Sequence, residues 1–163
     1  MVELCSVPIS VNVWRYRSWM VIGSAAKDVS VENALKYVLG YTCVNDVSAR
    51  WWQKKGAGGQ FCRGKSFDTF CPVGPTVVPG GEIEDPQALR LVCRVNGTVM
   101  QQDSTASMLH PVASLIAELS RGTTLVPGTL IMTGTPSGAG TARSPQVWLK
   151  AGDSVAVAIE KIG

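Results

Sequence analysis

Apolar residues recur at helical spacing in two stretches of the chain. The first stretch begins after Ser30, a residue type that caps helices, and ends at Gly40, whose flexible backbone suits a helix end. The second covers residues 107–120 and ends before Gly122. This spacing predicts two short helices with these residues on their buried faces: Val31, Ala34, Leu35, Val38 and Leu39 in the first, and Leu109, Val112, Leu115, Ile116 and Leu119 in the second.

The other apolar segments are short and rich in residues that favour strands. Strands are predicted at residues 19–22, 41–47, 129–132 and 154–159. Residues 89–95 and 98–101 are predicted to pair as a hairpin, because the intervening Asn96 and Gly97 accept the positive φ angles of a type I′ turn. Strands outnumber helices and do not alternate with them. The pattern therefore predicts a mainly β (α+β) domain rather than a parallel α/β fold.

Composition narrows the function without naming it. The 163 residues are the size of one domain, and hydrophobic residues make up 45% of them, which is typical of a globular core. No apolar run approaches the roughly 18 residues of a membrane span. The net charge is +3, but the basic residues are scattered and form no stripe interleaved with aromatic residues. Nucleic-acid binding and membrane insertion are therefore not expected.

The cysteines indicate a reducing compartment. There are five, none is spaced as Cys-x-x-Cys, and an odd number does not complete a disulfide framework. We expect reduced, buried thiols and a location in the cytoplasm or an organelle matrix, the mitochondrial matrix included. The five are Cys5, Cys43, Cys62, Cys71 and Cys93.

Four motifs follow one another along the chain. They are Asn-Asp-Val-Ser-Ala-Arg at 45–50, Gly-Lys-Ser-Phe-Asp at 64–68, Arg-Val-Asn-Gly at 94–97, and Pro-Gly-Thr-Leu-Ile-Met-Thr-Gly-Thr-Pro-Ser-Gly at 127–138. In this order and spacing they resemble the catalytic C-terminal domain of the fumarylacetoacetate hydrolase family, in particular its acylpyruvate hydrolase type. The resemblance extends over residues 19–163, predicted to form a single, shortened domain, and leaves residues 1–18 as a divergent N-terminal segment.

The resemblance implies a fold and a chemistry. Family members form a β-sandwich roll, commonly as a homodimer, with Mg²⁺, Mn²⁺ or Ca²⁺ at the mouth of the roll. The cation is held by two glutamates of a Glu-x-Glu pair and by an aspartate that corresponds to Asp46. The substrates are small oxo acids of the fumarylacetoacetate, acylpyruvate or oxaloacetate kind, which are cleaved at a carbon–carbon bond, decarboxylated or tautomerised.

The resemblance also implies roles for individual residues. Lys65 would stabilise developing negative charge, Gln53 would contact the substrate, and Thr135 would help to hold a substrate carboxylate beside the backbone N–H groups near Gly134. Without the resemblance these residues have simpler readings: Asp46 as a turn cap, Lys65 as a surface lysine and 134–140 as a plain turn. The single histidine, His110, is expected to have no catalytic role.

The chain departs from the family pattern in its first part. Aligning residues 21–23 with the family's apolar strand puts Arg15 and Arg17 at the two glutamate positions, and Trp51 follows Arg50 where an aspartate is usual. The histidine–glutamate pair that many members carry upstream is absent. Little or no metal-dependent activity is therefore expected.

Three explanations of these departures stay open. In the first, residues 1–17 are foreign to the family protein, so that a complete enzyme would carry the missing groups. In the second, the chain is a pseudoenzyme that serves as a structural or regulatory subunit, its site closed by an ion pair between Asp46 and Arg15 or Arg17. A shortened product that does not fold stably is the third explanation, because a missing strand leaves open sheet edges.

Overall fold

The β-prone segments form two antiparallel sheets in the computed structural model, which describes residues 16–163 and side chains from residue 20 onward. One sheet has the order β3-β2-β1-β6 and the other the order β5-β4-β7. The strands are β1 (Tyr16–Ile22), β2 (Val38–Asn45), β3 (Val78–Pro79), β4 (Arg90–Val95), β5 (Thr98–Ser104), β6 (Leu130–Met132) and β7 (Val155–Ile159).

The core lies between the two sheets and one α-helix of the part of the chain that the structure describes. Met20 and Ile22 of β1 are fully buried, as are Cys93 of β4 and Ile116 of helix α1 (Val112–Ser120). These side chains belong to one apolar cluster that draws on both sheets, so the sheets pack face to face around it. The predicted mainly β sandwich is confirmed.

The first predicted helix is wrong in type and extent. Residues Val31–Tyr37 form a 3-10 helix, and the strand β2 starts directly after it at Val38. Val31 and Leu35 are 46% and 44% exposed, so the predicted buried face is not buried. Gly40 does not end a helix but lies in β2, where an added Cβ would come within 2.3 Å of the Val78 carbonyl oxygen. Close strand pairing, not helix termination, requires this glycine.

The second helix is shorter than predicted and the hairpin is confirmed. Helix α1 begins only after Pro111, and Leu109 is left outside it with 93% of its surface exposed. The hairpin joins β4 to β5 through Asn96 and Gly97, whose φ angles of 50° and 79° are both positive, as a type I′ turn demands. No helix in the described part of the chain is long and apolar enough to cross a membrane.

Sheet register brings three chain segments to one edge. Strand β1 lies between β2 and β6, with Tyr16 opposite Asn45 and Trp19 opposite Met132. Because both pairings are antiparallel, β2 and β6 end where β1 begins. The segments that leave β2 at Asp46 and β6 at Thr133 therefore emerge at the same edge of the sheet, next to the start of β1.

Candidate active site

Polar side chains are buried in an unusual concentration where β2 ends. Asn45, Asp46, Ser48, Arg50 and Gln53 are all less than 10% exposed, although they lie within nine consecutive residues. Burying a polar or charged group costs free energy unless partners compensate for the lost water. A fold that retains five such groups in one short segment is typical of a functional site.

Lys65 is the charged partner of this segment. Its Nζ donates to Oδ1 of Asp46 and, over 3.0 Å, to Oγ of Ser48. The Asp46 side chain is 3% exposed and that of Lys65 is 24% exposed, so the ion pair is mostly shielded and one side of the ammonium faces solvent. Shielding strengthens the interaction of this ammonium with any anion that reaches it.

A glycine positions Lys65. Gly64 packs against Gln53, and an added Cβ at this position would lie 2.8 Å from the Gln53 Cβ. The backbone carbonyl of Gly64 also accepts a hydrogen bond of 2.8 Å from the backbone N–H of Ala49. The motif that contains Lys65 is thereby fixed on the segment that contains Asp46.

Gln53 itself is held by Arg50. The Arg50 Nη1 donates to the Gln53 Oε1 over 2.5 Å, and Gln53 lies in a π-helical turn, Trp52–Gly56. Such turns are rare and are found often at functional sites. Since Arg50 and Lys65 are both cationic and Asp46 is the carboxylate among them, the cluster carries excess positive charge.

A thiol lies within electrostatic reach of the ion pair. Burial raises the pKa of Cys71, Asp46 raises it further and Lys65 opposes that effect. Cys71 has a φ of 57°, an uncommon angle for a residue with a side chain.

The four cysteines that the structure describes are all free. The expectation of buried thiols is confirmed for Cys43 and Cys93. It is wrong for Cys71, which is half-buried, and for Cys62, which is exposed because it lies in a surface turn.

The loop after β6 is held by side-chain hydrogen bonds. Nε2 of Gln101 donates to the carbonyl oxygens of Pro136 and Ser137, both over 2.9 Å, and Arg143 donates to the carbonyls of Met100 and Gly138. These contacts fix the loop at the sheet edge where Asp46 emerges.

Within this loop Thr135 presents an unusual hydroxyl. Its Oγ1 is buried and has no hydrogen-bond partner in the described part of the chain. Gly134 precedes it with a φ of 107°, which a residue with a side chain rarely adopts.

The structure brings some of the predicted site residues together and leaves others apart. Asp46 and Lys65 are in direct contact, and Gln53 packs against the turn that carries Lys65. Gly134 and Thr135 lie at the same sheet edge but on the far side of β1, and the Thr135 hydroxyl does not bond to Lys65.

The proposed arginine contacts are outside what the structure describes. Arg15 lies before the described residues, and only the backbone of Arg17 is described, opposite Val44 of β2. The predicted closure of Asp46 by one of these arginines therefore stays a prediction.

Two buried site residues were not predicted from the sequence. Ser48 and Arg50 stand in the first motif but were given no role. A signal was present, since a segment that continues a buried strand does not ordinarily alternate polar residues at 45, 46, 48, 50 and 53 unless those residues have partners.

Comparison with known proteins decides the family. The sequence model of the fumarylacetoacetate (FAA) hydrolase C-terminal domain matches residues 19–163. The chain belongs to the fumarylacetoacetate hydrolase family. It is 46% identical over 150 residues to the mitochondrial oxaloacetate tautomerase of Xenopus laevis, covering 92% of this chain and 47% of that protein. It is 48% identical over 151 residues to the 2,4-didehydro-3-deoxy-L-rhamnonate hydrolase of a Sphingomonas strain, covering 92% of this chain and 53% of that protein.

Solved structures of the fumarylacetoacetate hydrolase family share the fold. The fumarylacetoacetate hydrolase of Exiguobacterium antarcticum superposes with a TM-score of 0.90 at 42% identity, over 95% of this chain and 55% of that one. The fumarylpyruvate hydrolase of Pseudomonas aeruginosa, in complex with Mn²⁺ and pyruvate, superposes with a TM-score of 0.88 at 27% identity, over 100% of this chain and 68% of that one. The chain spans about half the length of the curated relatives it matches.

A divalent cation occurs in the family, but the donors that the structure describes in this chain do not fit one. The family's Mn²⁺ complex establishes the cation for that relative. Among the side chains that the structure describes here, no three His, Cys, Asp or Glu residues come together that could hold a metal ion. Oδ1 of Asp46 is bonded to the Lys65 ammonium. Mg²⁺ and Mn²⁺ require several oxygen ligands, so this donor set is insufficient.

Proposed function

We propose that this chain binds small 2-oxo acids and promotes their keto–enol interconversion at Lys65, at a reduced rate because the donors that the structure describes do not fit a divalent cation. The observation that carries the proposal is the shielded ion pair between Lys65 and Asp46, which fixes an ammonium group beside Gln53 and Arg50. The relatives support the reaction class, since their names include a tautomerase and hydrolases of oxo acids.

The position of the Lys65 ammonium suits a substrate whose carbonyl oxygen becomes negatively charged during the reaction. Keto–enol interconversion moves a proton between a carbon next to the carbonyl and the carbonyl oxygen, and the intermediate enolate carries negative charge on that oxygen. The Lys65 ammonium stabilises this charge, and Asp46 and Ser48 fix its direction. Excess positive charge from Arg50 favours the substrate carboxylate, and Gln53 orients it.

The incomplete set of metal ligands explains why the rate is expected to be low. When a family member holds a divalent cation, that cation polarises the substrate carbonyl as a Lewis acid. Here the sequence has Arg15 and Arg17 where the resemblance places the two glutamates. Stabilisation of the enolate therefore falls to Lys65 alone. Carbon–carbon cleavage requires more transition-state stabilisation than tautomerisation does, so we expect cleavage to be the slowest reaction.

The test is tautomerisation of oxaloacetate followed by the ultraviolet absorbance of its enol, in buffer that contains EDTA. The wild type is expected to accelerate the reaction above the buffer rate. Lys65→Met should lower that acceleration at least 30-fold, about 2 kcal/mol of transition-state stabilisation. Lys150→Met, which removes an exposed lysine elsewhere, is the control and should leave it unchanged. Rapid turnover that EDTA abolishes would contradict the proposal.

A second function, a catalytically inactive subunit that keeps the fold and forms a homodimer, is favoured by the incomplete donor set and by apolar surface. Val31, Leu35 and Leu39 are each more than 40% exposed near the start of β2. A second copy of this chain is the occupant we propose for that surface. Sedimentation velocity distinguishes the two functions when it is combined with the oxaloacetate assay: a dimer without acceleration supports the subunit, and a monomer without acceleration supports neither.

We also propose an organelle matrix as the location, by analogy with the oxaloacetate tautomerase of Xenopus laevis, whose name describes it as mitochondrial. The free cysteines agree with a reducing compartment. Imaging of the tagged full-length protein tests this location.

A further inference from the structure

A cavity of about 270 Å³ borders the loop that follows β6. It is shared between Gly134 and Thr135 of that loop, the end of β5, and the segment before helix α1. Its apolar wall contains Leu91, Met108 and Leu115. Because Thr135 borders the cavity and follows β6 at the sheet edge where Asp46 also emerges, we place the far end of a substrate held at Lys65 in this cavity.

The polar groups of the cavity are an acceptor, a hydroxyl and an imidazole. Asp103 lines it, and Oδ1 of this carboxylate accepts from the Ser104 backbone N–H and the Ser107 hydroxyl, both over 2.7 Å. Those bonds fix the carboxylate and leave Oδ2 without a hydrogen bond in the described part of the chain. The Thr135 hydroxyl is buried and has no partner there. His110, which lines the opening, can donate or accept.

Charge decides which substrate tail fits. The described residues that line the cavity include no lysine or arginine, so nothing there compensates a second carboxylate beside Asp103. A carboxylate only accepts hydrogen bonds and would be repelled by Asp103, whereas a hydroxyl can donate to Asp103 and accept from Thr135 or His110. The apolar wall suits the carbon atoms of such a tail.

We propose that this cavity is a specificity subsite for the uncharged, hydroxylated tail of a 2-oxo sugar acid, with Asp103 excluding substrates that carry a second carboxylate. The inference rests on the proposed function, because it assigns the tail of the substrate whose oxo-acid end binds at Lys65. It gives Thr135 the role of contacting a tail hydroxyl rather than a carboxylate. A relative that is 48% identical acts on a deoxy-sugar acid derivative, as its name states, which agrees with this tail.

The experiment measures dissociation constants by calorimetry for three probes that differ in their tails. They are 2-keto-3-deoxygluconate with a hydroxylated tail, 2-oxoglutarate with a carboxylate tail, and 2-oxobutyrate with a short apolar tail. The wild type is expected to bind the hydroxylated acid at least tenfold more tightly than 2-oxoglutarate. Asp103→Asn removes the charge and should narrow this ratio to threefold or less, mainly because 2-oxoglutarate binds more tightly.

Two further variants keep the result interpretable. Glu118→Gln neutralises an exposed carboxylate that pairs with Arg121 on the surface, and it should leave the ratio unchanged. His110→Gln leaves the Asp103 contacts intact and should weaken the hydroxylated acid three- to tenfold, so the inference can be tested even if Asp103→Asn does not fold. The inference is overturned if the wild type binds 2-oxoglutarate as tightly as, or more tightly than, the hydroxylated acid.

The measurements distinguish failure of the proposed tail subsite from failure of the proposed function at Lys65. Suppose that the wild type prefers 2-oxoglutarate to the hydroxylated acid and that Lys65→Met no longer binds 2-oxoglutarate. The proposed subsite is then wrong, while the proposed binding of the oxo-acid end at Lys65 stands. If none of the three probes binds, or if Lys65→Met binds them as the wild type does, the proposed function fails and the subsite fails with it.

Discussion

The Lys65 ammonium bonds directly to the carboxylate of Asp46, the residue that aligns with a metal ligand of the family. This contact explains how a carboxylate that is 3% exposed is compensated without a cation. It also fixes the ammonium in the position where an oxo acid would bind. The same pair therefore underlies both the weak metal binding that we expect and the anion site that we propose.

Asp46→Asn distinguishes a metal-free site from a metal-dependent one. If Lys65 binds the oxo acid directly, removing the competing carboxylate should tighten binding of 2-oxobutyrate at least about tenfold, since unit charges about 4–8 Å apart interact by about 2–4 kcal/mol at an effective dielectric near 20. If a cation held by Asp46 binds the acid, the substitution should abolish binding. Calorimetry with 2-oxobutyrate in the presence of EDTA and then of Mn²⁺ separates the two results.

Gly64→Ala tests the packing that positions Lys65. The new Cβ would lie 2.8 Å from the Gln53 Cβ, so the turn that carries Lys65 must shift. We expect a loss of about 1–3 kcal/mol of unfolding free energy, as for other overpacked sites, and weaker binding of 2-oxo acids. Gly81→Ala is the matched control, because nothing lies within 4 Å of its added Cβ, and it should change stability by less than about 0.5 kcal/mol. Urea denaturation measures both, and equal stabilities would contradict the packing.

How far the sequence predicts this fold depends on the element. The Asn96-Gly97 hairpin follows from local turn chemistry alone, and the structure reproduces it. The segment 31–39 has an equally clear helical pattern, yet it forms a 3-10 helix only up to Tyr37, and Val38 and Leu39 join the sheet, because pairing of β2 with β1 satisfies more backbone groups than one further helical turn would. Local propensity decides where no tertiary partner competes, and it fails where one does.

The candidate site divides in the same way. Asp46, Lys65, Gln53 and Thr135 stand in motifs that the sequence displays, so their identities could be predicted. Their contacts could not, because the Lys65–Asp46 bond joins residues 19 positions apart and depends on Gly64 fitting against Gln53. The role of Asp103 was out of reach as well, since only the fold brings it beside Thr135.

Stability should fall at high pH because buried groups resist ionisation. Burial raises the pKa of Cys93 from 9.0 to about 12, and burial followed by the nearby Asp85 raises the pKa of Tyr41 from 10.0 to about 12. In the unfolded chain both groups lose their protons at lower pH, so the stability they contribute is complete below pH 9 and is lost as the pH rises towards 12. Cys93 alone removes up to about 1.4 kcal/mol per pH unit in this window.

Thermal melts from pH 7 to pH 11 measure this effect. Cys93→Ala should lower stability at every pH, because it removes a buried side chain, but its melting temperature should decline less steeply above pH 9 than that of the wild type. Cys62→Ser, at an exposed thiol, should follow the wild-type curve. A wild-type melting temperature that stays constant up to pH 11 would show that these groups ionise normally in the folded protein.

The most direct test of the account is a calorimetric titration of Mn²⁺ into the wild type and into the Arg15→Glu, Arg17→Glu double variant, both without EDTA. The account predicts no binding at micromolar strength by the wild type, because Asp46 is bonded to Lys65 and the aligned glutamates are replaced. It predicts binding by the double variant, in which three carboxylates return to the family's ligand positions. Micromolar binding of Mn²⁺ by the wild type would contradict the account and identify the chain as a metal-dependent member of the family.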